Sequence, residues 1–333
     1  MTYEEILREL KSKQYRPVYF LMGEEPFFID GISDYIQENV LTEAEKAFNQ
    51  VVLYGRDTDV PAIINAARRF PMMSPHQVVI VKEAQELVQI DDLIHYIEHP
   101  LGSTLLVINY KYKKLDKRKK LFRAMEQAGA ILDSRRIYEE KIPSWIQSYL
   151  KERGKRIEPK AAMMLSEFLG NDLGRIVREM EKLILILGEG ENTINPAHIE
   201  ENIGISKDFN NFELNDAISQ RNVLKANRIV RYFESNPRAN PIILSITSMY
   251  FFFSKVLSYH FLKDRSRRNV ASALKIDPYF VQDYERAAGN YNPASVVRII
   301  SLLREFDLKS KGFGNSGTPD GDLLKELVYK IMH

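Results

Sequence analysis

The chain of 333 residues has no cysteine. Disulfides and thiolate metal centres are therefore excluded, which fits a reducing compartment. No run of eighteen apolar residues occurs, the length a membrane-spanning helix needs. The opening MTYEEILREL is too acidic for a signal peptide. Strong net charge is missing as well: 47 Lys+Arg against 45 Asp+Glu leave +2. Against these absences stand 44% hydrophobic residues and 11% aromatics. That is an ordinary globular composition, long enough for two or three domains.

The small net charge is unevenly spread. Residues 1–140 carry 19 Lys+Arg and 22 Asp+Glu, net −3, and residues 141–208 carry 10 and 11, net −1. Residues 209–333 carry 18 and 12, net +6. The C-terminal third is the side for a polyanion, although a solvated basic surface explains the bias equally well.

The stretch PVYFLMGEEPFFID at 17–30 organises the N-terminal half. Val18 to Met22 read as a buried strand, Gly23 as a turn, and a helix follows from Glu25 with Phe27, Phe28, Ile32, Tyr35 and Ile36 on its apolar side. A phosphate-binding loop would sit here, and it would need G-x-x-x-x-G-K-[ST]. The turn instead offers Gly23, Glu24, Glu25 and Pro26. Two carboxylates repel phosphate, and the proline lacks an amide donor. A magnesium-holding acid is also missing, since the strand at 77–82 ends in Val81, Lys82 and Glu83. Neither half of ATP chemistry is present, so no cofactor and no intrinsic ATPase activity are expected.

Short Val/Ile/Leu-rich runs predict strands at 17–22, 50–54, 77–82, 104–109 and 130–133. Helical patterns lie at 3–13 and, between the strands, near 25–39, 60–69, 91–98 and 117–128. Their alternation argues for a doubly wound α/β domain with a parallel sheet. No strand is expected after about residue 134. Helices are read at 142–151, 159–170 and from an Asn171-Asp172 cap to Gly188. After a linker at 203–211 come 212–219, 222–235, 240–263, 268–274, 278–288, 293–310 and 320–332, punctuated by Asn-Pro and Asp-Pro pairs. The apolar run SMYFFFSKVL at 248–257 reads as a core helix too short to span a membrane. The fold class is thus α/β followed by all-α.

Four stretches carry chemistry. His95-Tyr96-Ile97-Glu98-His99 spells H-x-x-E-H, but no third zinc ligand is apparent, and two surface histidines are the better reading. KYKKLDKRKK at 111–120 holds seven basic residues and Asp116, for phosphate contact or, more in keeping with charge runs, a solvated loop. Phe70, Met72 and Met73 lie in a turn bracketed by Pro71 and Pro75. Tucking into the core and filling a partner's groove are evenly matched for these side chains. Lys309, Lys311 and Phe313, between glycines, combine phosphate donors with an aromatic able to stack on a base. A loop whose phenylalanine folds back is slightly favoured.

PVYFLMGEEPFFID, LDKRKKLFRAME, PSWIQSYLKERGKRIEP, LGNDLGRIVREMEKLIL, NFELNDAI and LLREFDLKSKG follow one another along the chain. In this order and spacing the sequence resembles the delta-subunit family of bacterial DNA polymerase III, part of the replicative clamp loader. The resemblance implies an AAA+-like α/β domain at 1–140 without a working phosphate loop, a helical lid at 141–208 and a helical collar at 209–333. It implies a cytoplasmic DNA-replication protein that is a subunit of a polymerase holoenzyme without polymerising or hydrolysing ATP itself. Its partners would be the sliding clamp, the motor and delta-prime subunits met through the collar, and primed DNA, with no membrane. The family's clamp-binding wedge precedes the third strand, and that position falls here on Phe70, Met72 and Met73. The family more often has Leu-Phe where Met72-Met73 stand. Lys309, Lys311 and Phe313 become DNA-contact candidates. The alternatives are a regulatory nucleotide-binding protein of the AAA+ class and a stand-alone DNA-binding protein.

Overall fold

Five apolar runs form one parallel sheet: β1 (Val18–Gly23), β2 (Gln50–Tyr54), β3 (Gln77–Lys82), β4 (Thr104–Lys111) and β5 (Gly129–Ser134). Their order is β2-β3-β4-β1-β5, and every pairing is parallel. The computed structural model describes residues 1–188, 190–315 and 317–333, in two compact units, Met1–Ile137 and Tyr138–His333.

In the first unit, successive residues of the central strands point into two separate cores. Val18, Phe20, Met22, Val79, Val81, Leu106 and Ile108 face one side. Tyr19, Leu21, Val78, Ile80, Leu105 and Val107 face the other. Burial on both faces explains why these strands read as unbroken apolar runs. The helices are α1 (Tyr3–Lys11), α2 (Pro26–Asn39), α3 (Glu43–Asn49), α4 (Val60–Ala67), α5 (Ile94–Ile97) and α6 (Lys120–Ala128). α1 and α3 open with capping boxes, Thr2 with Glu5 and Thr42 with Glu45. The helix expected at 91–98 is a 3₁₀ turn, Ile90–Leu93, followed by the single turn of α5. The helix expected from 117 begins at Lys120, and α3 was not foreseen.

The second unit contains α7 (Ile142–Glu152), α8 (Pro159–Leu169), α9 (Leu173–Leu187), α10 (Pro196–Ile203), α11 (Asn211–Ser219), α12 (Val223–Ser235), α13 (Ile242–His260), α14 (Arg267–Leu274), α15 (Val281–Asn290), α16 (Pro293–Ser310) and α17 (Asp320–Met332). The expectation of no strand after residue 134 is corrected: β6 (Arg156–Ile157) pairs in parallel with β7 (Thr193–Ile194). Each is two residues long, too short for a periodic signal. α13, at 19 residues, is longer than the apolar run at its centre, and its length and composition alone are sufficient for a membrane span, which corrects the expectation from the run itself. Its Ile246, Met249, Phe253 and Val256 instead lie in a core with Leu214, Ile229, Ile299, Leu303 and Leu327.

Candidate partner-binding wedge

The turn after β1, where a nucleotide's phosphates would lie, is occupied by the chain's own groups. Glu25 is the N-cap of α2, its carboxylate accepting the Phe27 amide at 3.3 Å, and Pro26 has no amide to give. The Glu24 amide donates to the Ser134 carbonyl at 2.9 Å, and the Glu25 amide to the Ser134 hydroxyl at 3.3 Å. Gly23 is required here: its φ is +129°, and a Cβ would lie 2.0 Å from the Ser134 carbonyl oxygen. The chain's own carboxylate thus stands at the helix N-terminus in place of a bound phosphate.

Carboxylates and lysines from four segments meet at the same end of the sheet. Lys111 bridges Asp30 at 2.9 Å and Glu83 at 3.0 Å, and Lys82 lies 3.7 Å from Asp34. Burial works against the Lys111 charge, and the hydrogen bonds to Asp30 and Glu83 outweigh it, leaving its pKa above the usual lysine value. The basic run 111–120 is largely spent on such partners. Lys113 donates to the Gln85 carbonyl, Lys114 pairs with Asp133 and Glu24, and Lys117 with Asp133. Arg118 pairs with Asp116 and Lys119 with Asp91. His95 in α5 and His99 just after it are exposed, and no group of three metal-ligating side chains occurs among the described residues.

The turn between α4 and β3 differs in kind. Phe70 is 76% exposed, Met72 61% and Met73 fully so. Of the two readings open for these apolar side chains, tucking into the core is excluded. The turn is nonetheless tightly held at its base. The Gln77 amide donates to the Ala66 and Ala67 carbonyls at 3.0 and 3.2 Å and reaches the Thr104 hydroxyl at 3.0 Å. Thr104 and Tyr96 also donate to the Ala67 carbonyl, at 2.9 and 3.3 Å. These bonds satisfy the C-terminal carbonyls of α4 and stitch together the two stems of the loop.

The tip is held from α3. The buried Asn49 accepts the Met72 amide at 2.6 Å and donates to the Met72 carbonyl at 2.9 Å. Hydrogen bonds from the Thr42 amide and hydroxyl, and from Ser74, hold the Glu45 carboxyl below its ordinary pKa. Phe48, beside Asn49, is 71% exposed. Reading the residues missed Phe48 and Asn49 because it missed α3; the signal was the Thr42–Glu45 capping pair.

In the second unit, Phe313 follows the C-terminus of α16 between Gly312 and Gly314, both at positive φ. It is 67% exposed, which corrects the reading that its ring folds back. Asn315 fixes the turn, accepting the Gly317 and Thr318 amides and donating to the Lys309 and Thr318 carbonyls. Lys309 pairs with Glu305 and Lys311 with Asp307, both at 2.7 Å. Lys309 also lies 4.5 Å from the centre of the Phe306 ring. Ser316 lies outside the described residues.

Residues 19–134 match the family model described as DNA polymerase III, delta subunit. Over 334 aligned positions the chain is 26% identical to the DNA polymerase III subunit delta of Bacillus subtilis, covering 97% of this chain and 94% of the relative. Among solved structures, the Bacillus subtilis DNA clamp loader delta protein superposes with a TM-score of 0.55 at 22% identity, over 99% of each chain. The structural likeness shows a shared fold, and the two sequence comparisons place the resemblance along the chain. The chain is similar to the bacterial DNA polymerase III delta subunit along nearly its whole length.

Proposed function

We propose that this chain serves in the clamp loader as the subunit that grips the sliding clamp through Phe70, Met72 and Met73 and stabilises its open form during DNA replication. The homology supports a role in the clamp loader. The observation that carries the finer reading is the exposure of three apolar side chains on a loop stitched at its base. A monomer gains nothing by holding such groups in water, whereas an apolar cleft on a partner accepts methionine readily. The clamp's open form must gain more from the contact than its closed form, because a ligand shifts an equilibrium only by its differential affinity.

In this reading residues 1–140 form the clamp-binding domain, 141–208 a lid and 209–333 the collar that meets the motor and delta-prime subunits. ATP chemistry belongs to those motor subunits, and the assembly works in the cytoplasm, where the chromosome is copied. Lys309, Lys311 and Phe313 face primed DNA in the assembled loader.

Replacing Met72 and Met73 together with Ala should abolish clamp binding in a pull-down with the sliding clamp, while assembly with the other loader subunits stays intact. Undiminished clamp binding by that double variant overturns the assignment.

A further inference from the structure

We infer that Asn49 is a positioning residue for the wedge, locking the Met72 peptide so that the apolar side chains are presented already ordered; this rests on the clamp-binding reading above. Asn49 is the last residue of α3 and is 2% exposed. Its side chain is used on both sides. Oδ1 accepts the Met72 amide at 2.6 Å, and Nδ2 donates to the Met72 carbonyl at 2.9 Å and to the Glu45 carbonyl at 3.1 Å. Only this orientation of the amide works, since a flip would set the NH₂ against the Met72 N–H and the oxygen against two carbonyls. The paired bonds resemble those between neighbouring strands, made to a single residue of a loop.

The next residue shows what the lock achieves. Met73 has φ +54°, the left-handed region, with its side chain fully in solvent. A non-glycine residue there is costly and persists only where its surroundings hold it. Here the holding groups flank it: Met72 on Asn49 and Ser74 on Glu45. No apolar contact of Met73 itself explains the conformation. Fixing the loop before the partner arrives removes an ordering cost from binding.

The test uses the full chain and its own sliding clamp. Asn49→Ala should weaken clamp binding by roughly tenfold, the loss expected when two hydrogen bonds from a buried side chain to the loop go unmade. In the same variant the Met72 amide should exchange with deuterium faster, while assembly with the other loader subunits is unchanged. Asn49 acts through the wedge, so in a Met73→Ala background the same substitution should cost less than it does alone. Asn49→Asp keeps the volume but sets a carboxylate oxygen against the Met72 and Glu45 carbonyls, and should weaken binding at least as much. It serves as the test if the alanine variant does not fold. Wild-type affinity in both Asn49 variants, with the Met72–Met73 double variant still unable to bind, overturns the role of Asn49 and leaves the wedge standing. A fully additive loss with unchanged Met72 exchange overturns it too. Clamp binding that survives the loss of both methionines removes the wedge reading itself.

Discussion

Glu167 lies on α8, where its carboxylate accepts the Ser248 hydroxyl of α13 at 3.4 Å and the Phe212 amide of α11. Burial raises its pKa from 4.5 to about 7, with those two hydrogen bonds working in the other direction. The folded chain therefore holds this proton more tightly than the unfolded chain across that window. Stability contributed here falls as pH rises from 4.5 to about 7, and above that the full cost of a buried carboxylate remains. Glutamine keeps the accepting oxygen and removes the charge. Glu167→Gln should thus raise stability by about 1–3 kcal/mol near pH 8 and change it little near pH 4, read as the urea midpoint at each pH. An equal shift at both pH values would show that packing, not ionisation, is the cause. Nothing in the apolar spacing of α8 announces this site: the sequence segment AAMMLSEFLG shows only one acid in an apolar stretch, and its partners lie more than forty residues away in two other helices.

Elements longer than two turns with a clear apolar face were legible in the sequence. The five parallel strands and the long helices α12, α13, α16 and α17 lie within a few residues of where periodicity and Pro/Asn punctuation predict them. What escaped is short or non-periodic: α3 with the sequence EAEKAFN, the eight-residue α10, the two-residue strands β6 and β7, and the 3₁₀ turn before α5. Exposure of loop side chains is equally invisible, because Phe70 or Phe313 has the same local sequence whether its ring is covered or bare. The loop after α16 shows the consequence. Lys309 and Lys311 are held by Glu305 and Asp307 one helical turn away, and such surface pairs are worth only about 0.3–0.5 kcal/mol, so a phosphate displaces them cheaply. Phe313 has no such competitor. Phe313→Ala should weaken the assembled loader's hold on primed DNA by about 1–3 kcal/mol without changing its salt dependence, as stacking is lost and phosphate contacts are kept. Fluorescence anisotropy across a salt series measures both; unchanged affinity refutes base stacking.

At the scale of the whole molecule, the described charged groups around the β1 turn are engaged with one another. The strand order and the β1 turn offer the usual place for a triphosphate, yet Glu25 caps α2, Pro26 withholds an amide, and Ser134 takes the amides of Glu24 and Glu25. Lysine is not scarce at that end of the sheet, but Lys111 is tied to Asp30 and Glu83, and Lys114 to Asp133 and Glu24. A triphosphate would have to break these pairs and then face the carboxylates they neutralise. Each released carboxylate near the phosphate chain adds repulsion, so the net exchange is unfavourable even before the cost of opening the turn. The absent P-loop lysine in the sequence pointed to this, although only the structure shows that other basic residues nearby are already engaged. The isolated chain should therefore show no ATP binding by isothermal titration at millimolar nucleotide, with or without magnesium. Restoring a lysine alone, as Pro26→Lys, should not create binding, because Glu25 still occupies the helix terminus and the amides of the turn still serve Ser134. Saturable ATP binding by the unmodified chain would instead favour a nucleotide-regulated protein and return the β1 turn to the centre of its function.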